Sequence, residues 1–104
     1  MNHEEALEEM LSKPRLLGIN EPVVWSAKEV QIYKHQSIEL LTDIDLLYFT
    51  SNRAIVAEYK TSPGHFGDAV RQLALAEEFV RTQFRVRPIK LYVTGPKFSY
   101  HWVP

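Results

Sequence analysis

Glu58-Tyr59-Lys60, and Asp45 thirteen residues earlier, are the residues whose types and spacing point to chemistry. Side chains alternate across an extended strand, so Glu58 and Lys60 share one face, about 6.6 Å apart, while Tyr59 points to the other. Asp45 stands just ahead of the apolar run Leu46-Leu47-Tyr48-Phe49, and a short turn between paired strands brings it beside Glu58. Two carboxylates held together in apolar surroundings each disfavour ionisation of the other, unless a cation joins them. Hard oxygen ligands of this kind, with the backbone carbonyl of Tyr59 as a third, suit Mg²⁺ or Mn²⁺, which keep several waters and accept phosphate oxygens. The chemistry this set supports is metal-assisted hydrolysis of a phosphodiester, with Lys60 orienting water and offsetting charge on the phosphate. The triplet by itself is a weak signal, since this composition yields an acid two before a lysine about 0.7 times by chance. The plain alternative is a Glu58–Lys60 salt bridge worth under ~1 kcal/mol, with Asp45 a strand-end aspartate near Arg53.

The elements that must position these residues follow from local patterning. Asn2 and Glu5 have the spacing of a helix cap and its third residue, and Leu7, Met10 and Leu11 repeat at helical spacing, so a first helix covers residues 3–12. Pro14, Gly18 and Pro22 interrupt the chain and make residues 14–24 a connecting loop. Val30, Ile32 and Tyr33 suggest a first strand, and a second is centred on residues 44–49. Thr50-Ser51-Asn52-Arg53 is a polar turn into a third strand, residues 54–60, so the second and third form a hairpin. After the Ser62-Pro63-Gly64 break, Ala69, Leu73, Ala76 and Val80 mark a long helix over residues 67–84. Pro88 opens a further strand at 89–93, and Thr94-Gly95-Pro96 turns the chain into a last extended piece, 98–103. The order is that of an α/β or α+β domain, a mixed sheet covered by helices, with residues 1–104 as a single unit. If the strands at 54–60 and 89–93 are parallel neighbours, the long helix is a right-handed crossover between them.

Composition narrows the classes. With 45% hydrophobic and 24% charged residues the chain matches an ordinary globular domain and excludes disordered or collagen-like classes. Cysteine is absent, so disulfides, thiolate metal sites and thiol nucleophiles are excluded, and a reducing, intracellular compartment is the expectation. Apolar runs are far shorter than the ~20 residues of a membrane span, and Glu4, Glu5, Glu8 and Glu9 give the N-terminus the wrong charge for a signal peptide. The net charge of −1 hides a gradient: all thirteen acids lie before residue 79, whereas Arg81, Arg85, Arg87, Lys90 and Lys97 follow without an acid among them. That end is the candidate phosphate-facing surface, against the alternative of an ordinary solvated face. His3, His35, His65 and His101 show no helical pair at metal spacing and read as structural or surface groups, with His65, in the loop after the triplet, the one exception. Trp25, Tyr100 and Trp102 are base-stacking candidates, although aromatics in so short a chain are more often core.

The stretch Thr42-Asp43-Ile44-Asp45-Leu46-Leu47, the triplet Glu58-Tyr59-Lys60 and the helix containing Gln72 together resemble the PD-(D/E)xK, or restriction-endonuclease-like, nuclease superfamily. The spacing is most similar to that of its small archaeal Holliday-junction resolvases. The resemblance spans about residues 3–93 and implies an αβββαβ core and a Mg²⁺- or Mn²⁺-dependent nuclease acting on DNA, including branched DNA. It implies that Asp45 and Glu58 bind the metal and that Lys60 is catalytic. It also implies a further glutamate from the first helix, Glu5, Glu8 or Glu9, and a glutamine in the following helix, which matches Gln72. Ile44 stands where the superfamily's name has proline, the resolvases are more basic than this chain, and its first helix is strongly acidic. A homodimer with two sites is expected for so small a nuclease, symmetric pairs being the commonest oligomers. The alternative is a catalytically silent module of the same fold that binds nucleic acid or a protein partner.

Overall fold

The computed structural model describes residues 1–104, with the side chain of Pro63 outside the described set. Helix α1 (His3–Ser12) begins at a reciprocal cap, in which the Asn2 side chain accepts from Glu5 N and the Glu5 carboxylate accepts from Asn2 N. A 3₁₀ turn at Pro14–Leu17 follows and ends on Gly18, whose φ of 73° suits glycine. Strands β1 (Val23–Tyr33), β2 (Leu40–Thr50) and β3 (Ala54–Lys60) come next, then helix α2 (Phe66–Phe84) and strands β4 (Ile89–Thr94) and β5 (Ser99–Val103). The five strands form one mixed sheet in sequence order. All neighbours are antiparallel except β3 and β4, which α2 connects in parallel.

Each face of the sheet carries one helix. Ala6, Leu7 and Met10 of α1 bury against Leu46, Tyr48, Ile55, Ala57 and Tyr59, and the Tyr48 hydroxyl donates to the Met10 carbonyl at 2.7 Å. Burial raises the pKa of that phenol, which keeps it a donor. Ala69, Leu73, Ala76 and Val80 of α2 cover Ile44, Leu47, Ala54 and Val56 on the other side. The predicted α1 and β3 match the observed spans, and α2 starts one residue earlier than predicted. The first strand is much longer than expected, because Val23–Lys28 pairs along β2 as well. Among the described residues no helix is long and apolar enough to cross a membrane.

Two irregularities position the residues of interest. The β2–β3 ladder runs from Phe49 opposite Ala54 to Leu46 opposite Ala57 and stops there. Beyond that point β2 continues to Leu40 beside β1, while β3 continues to Lys60 beside β4, so the two strands fork. Side-chain alternation also breaks at the fork. Leu46 packs with the α1 cluster, yet Ile44 packs with the α2 cluster. On β1, Lys28 bonds to Glu4 of α1 while Val30 packs on the α2 side. Between those two register pairs lie Asp45 and Glu29, and Glu29 has a φ of 53°, the left-handed conformation that lets a strand reverse its faces.

Candidate functional site

At the fork each strand has lost a neighbour, and the two acids supply the missing acceptors. The Asp45 amide donates to Glu58 Oε1 at 3.2 Å, and the Tyr59 amide donates to Asp45 Oδ2 at 2.8 Å. These bonds satisfy two backbone donors that the divergence would leave unpaired. Each carboxylate thereby commits one oxygen to the backbone. Glu58 Oε2 lies 3.9 Å from Lys60 Nζ, too long for a tight ion pair. The structure brings together the three residues singled out by type and spacing, and Tyr59 turns into the α1 core as alternation requires.

The electrostatics are unbalanced. Glu58 is 1% exposed and Asp45 is 8% exposed. Burial, and then the neighbouring Asp45 charge, push the Glu58 carboxyl well above the usual range, to about 8, against the opposing pull of Lys60. A group in that state holds a proton at neutral pH unless another cation replaces it. Among the described residues no three His, Asp or Glu side chains form a ready-made metal-holding group. The donor set still fits a hard divalent cation of the Mg²⁺ kind, which is bound through one or two carboxylates with water and substrate oxygens completing the shell.

The remaining predicted residues fall in several places. Glu5 is engaged in the α1 cap, Glu8 and Glu4 pair with Lys28, and Glu9 pairs with Lys13, so the three candidates Glu5, Glu8 and Glu9 all have other partners. The α1 residue that reaches the acids is His3, with Nε2 3.5 Å from Asp45 Oδ2 and its ring 5.7 Å from that of Tyr59. His3 lacked any spacing signal; only its place as the first residue of a well-capped helix marks it. Gln72 lies on α2 with Oε1 buried and unbonded, and Asp43 Oδ1 is in the same condition. Arg53 pairs with Glu21 rather than with Asp45.

The basic cluster is split. Arg81 and Arg85 end α2, and Arg87 leads into β4, so these three lie where β3 and β4 begin, about 20 Å along β3 from Lys60. Arg87 and Lys90 both bond to Glu77, and Lys90 is largely buried in doing so. Lys97 sits in the β4–β5 turn at the opposite end, where Gly95 N donates to the Lys60 carbonyl. A cavity of about 350 Å³ opens beside the acids, lined by His3, Tyr59, Lys60, Thr61 and His65. No protein-family model matches the chain, and no curated protein matches it.

Proposed function

We propose that the protein is a Mg²⁺- or Mn²⁺-dependent nuclease of the PD-(D/E)xK type that hydrolyses phosphodiester bonds in DNA, branched DNA included. The observation that carries this reading is the fork between β2 and β3, where Asp45 and Glu58 meet within reach of Lys60. Capping the backbone donors of the fork uses one oxygen of each carboxylate, and two acids at a buried junction with only one imperfectly placed ammonium are costly unless a further cation joins them. The helix-covered mixed sheet, with β3 and β4 parallel across α2, fits a restriction-endonuclease-like core to which β5 is added.

In this reading Asp45 and Glu58 hold the divalent ion with their uncommitted oxygens, and the Tyr59 carbonyl is a third donor. The ion, when bound, lowers the pKa of water and polarises the phosphoryl oxygen. The backbone bonds at the fork fix both carboxylates before the ion arrives, so little conformational freedom is lost on binding. Lys60 donates toward the attacking water and the phosphate oxygens, countering the charge that accumulates in the transition state. His3 holds Asp45 from the α1 side, in the place the resemblance gives to a glutamate. Lys97 is placed to meet a phosphate at the site end, and Arg81 and Arg85 to meet backbone about 20 Å away. A homodimer and an intracellular location complete the proposal.

The test is cleavage of branched, nicked and linear DNA, and of RNA, in Mg²⁺, Mn²⁺ or EDTA. Cleavage is expected with either metal and not with EDTA, and Lys60→Ala should lower its rate by about 10²-fold or more while leaving Mn²⁺-induced thermal stabilisation in place. Metal-independent cleavage, or equal activity in Lys60→Ala, would overturn the proposal. Binding without cleavage on every substrate would favour a silent module.

A further inference from the structure

The chain has four glycines, and the fold accounts for two of them. A Cβ at Gly18 would come within 2.6 Å of the Tyr100 hydroxyl, and one at Gly95 would collide with the Tyr59 hydroxyl. Gly64 and Gly67 are different. A Cβ at either would meet nothing within 4 Å, and neither has a positive φ. Gly67 moreover sits in the first turn of α2, where glycine is a poor helix former. Neither crowding nor backbone conformation within this chain calls for glycine at these two positions.

They bracket His65, which lines the 350 Å³ cavity beside the acid pair. The groups around that cavity are donors or can act as donors: the Lys60 ammonium, the Thr61 hydroxyl, and the His3 and His65 imidazoles, with the Tyr59 ring as one wall. After His65 the next acid along the chain is Asp68, one residue past Gly67 and exposed. Asp45 and Glu58 reach two of these donors from the fork, Asp45 Oδ2 at 3.5 Å from His3 Nε2 and Glu58 Oε2 at 3.9 Å from Lys60 Nζ. A donor-lined, open cavity whose His65 is flanked in the chain by two glycines suits an oxyanion whose attached chain must lie close to protein backbone.

We infer that Lys60, Thr61 and His65, with His3 opposite, hold a phosphate of the substrate strand adjacent to the scissile one, and that Gly64 and Gly67 leave room for that strand's backbone. The inference rests on the nuclease reading for the word adjacent, and on the cavity and glycines for the phosphate itself. It adds the β3–α2 connection, beside the acid pair, to the surface that meets the strand, nearer the site than the arginines that end α2.

The experiment uses the full chain and a fluorescein-labelled 20-base-pair DNA duplex in Ca²⁺, at low salt. Gly67→Ala and Gly64→Ala should bind the duplex at least fivefold more weakly than the parent, and His65→Ala severalfold more weakly. Gly67→Ala should at the same time keep or raise Tm and keep the Mn²⁺-induced Tm shift, a combination that a structural role for glycine does not produce. Unchanged affinity in both glycine variants overturns the inference, as does a fall in Tm that accounts for the weakened binding, or a parent that does not bind. Failure of the nuclease reading looks different: no metal-dependent cleavage by the parent on any DNA, with or without the glycine effect. Metal-dependent cleavage by the parent, with duplex affinity unchanged in the glycine variants, removes the phosphate site alone.

Discussion

At each end of the β2–β3 hairpin a cation of the hairpin meets a glutamate, Glu58 of β3 at one end and Glu21 from ahead of β1 at the other, and the two glutamates respond in opposite directions. At the closed end Arg53, in the turn, grips Glu21 with two bonds, Nε to Oε2 at 2.5 Å and Nη2 to Oε1 at 2.9 Å. That guanidinium pulls the Glu21 carboxyl down to about 2. At the open end Lys60 stands 3.9 Å from Glu58, and burial with the nearby Asp45 charge takes Glu58 up to about 8. One end has spent its cation on structure, and the other is one positive charge short. Sites that bind metal or substrate are built from the second kind of arrangement, because an unmet electrostatic demand is what a ligand supplies.

Removing the demand at the open end should have the largest effect. Without metal, Glu58 keeps its proton up to about pH 8 in the folded chain and loses it near 4.5 in the unfolded one. The folded state therefore binds the extra proton between those values, and stability falls as pH rises through that window, by a few kcal/mol in total. Glu58→Gln has no such proton to lose. In EDTA its Tm is expected to be nearly flat from pH 5 to 8 and to exceed that of the parent at pH 8, while Mn²⁺-induced stabilisation and cleavage both disappear. A parent whose Tm does not fall over that range would dissolve the contrast between the two ends.

How much of this contrast was readable beforehand depends on how local its causes are. The α1 cap needs only Asn2 and Glu5, and β3 is bounded by a polar turn and a Ser-Pro-Gly break, so both elements were legible in full. Strand β1 was not, since Ser26, Ala27 and Lys28 neither alternate nor resemble a core, and their strand character comes from pairing with β2. Asp45 and Glu58 were found because strand period and hairpin geometry place them together. The fork was invisible: alternation puts Ile44 and Leu46 on one face, and the structure divides them between two cores across the left-handed Glu29. The charge gradient grouped residues that the fold separates, for a similar reason. Residues 81–97 are neighbours in sequence, but β4 carries the chain from one end of the sheet to the other between Lys90 and Lys97. His3 reaches Asp45 through the docking of α1, which no spacing in the chain encodes.

Gln72 gives a smaller and sharper test of which end a residue serves. Its Oε1 is buried without a bond, a desolvation cost that Gln72→Leu removes, so stability should stay level or rise by up to about 1 kcal/mol. If the glutamine belongs to the open end, as the resemblance implies, the variant cleaves several times more slowly although it is no less stable. Denaturant unfolding and a single-turnover cleavage rate on the same preparation separate the two quantities. A variant that is less stable and equally active would make Gln72 an ordinary helix residue.

At the closed end the expected effect is smaller still, and it runs the other way with pH. Glu21 is held ionised by Arg53, so its contribution is present above the unfolded value near 4.5 and is lost as pH falls toward about 2. Arg53→Ala should lower Tm at pH 7 by a few degrees, as loss of a half-buried bidentate pair does, and the gap to the parent should close by pH 2 to 3. Neither the Mn²⁺-induced shift nor the loss of stability between pH 5 and 8 should change, because nothing at the turn touches the fork. If Arg53→Ala instead weakened metal binding, the two ends of the hairpin would be coupled through β2 and β3, and the charge deficit at Glu58 would depend on the ion pair that closes the turn.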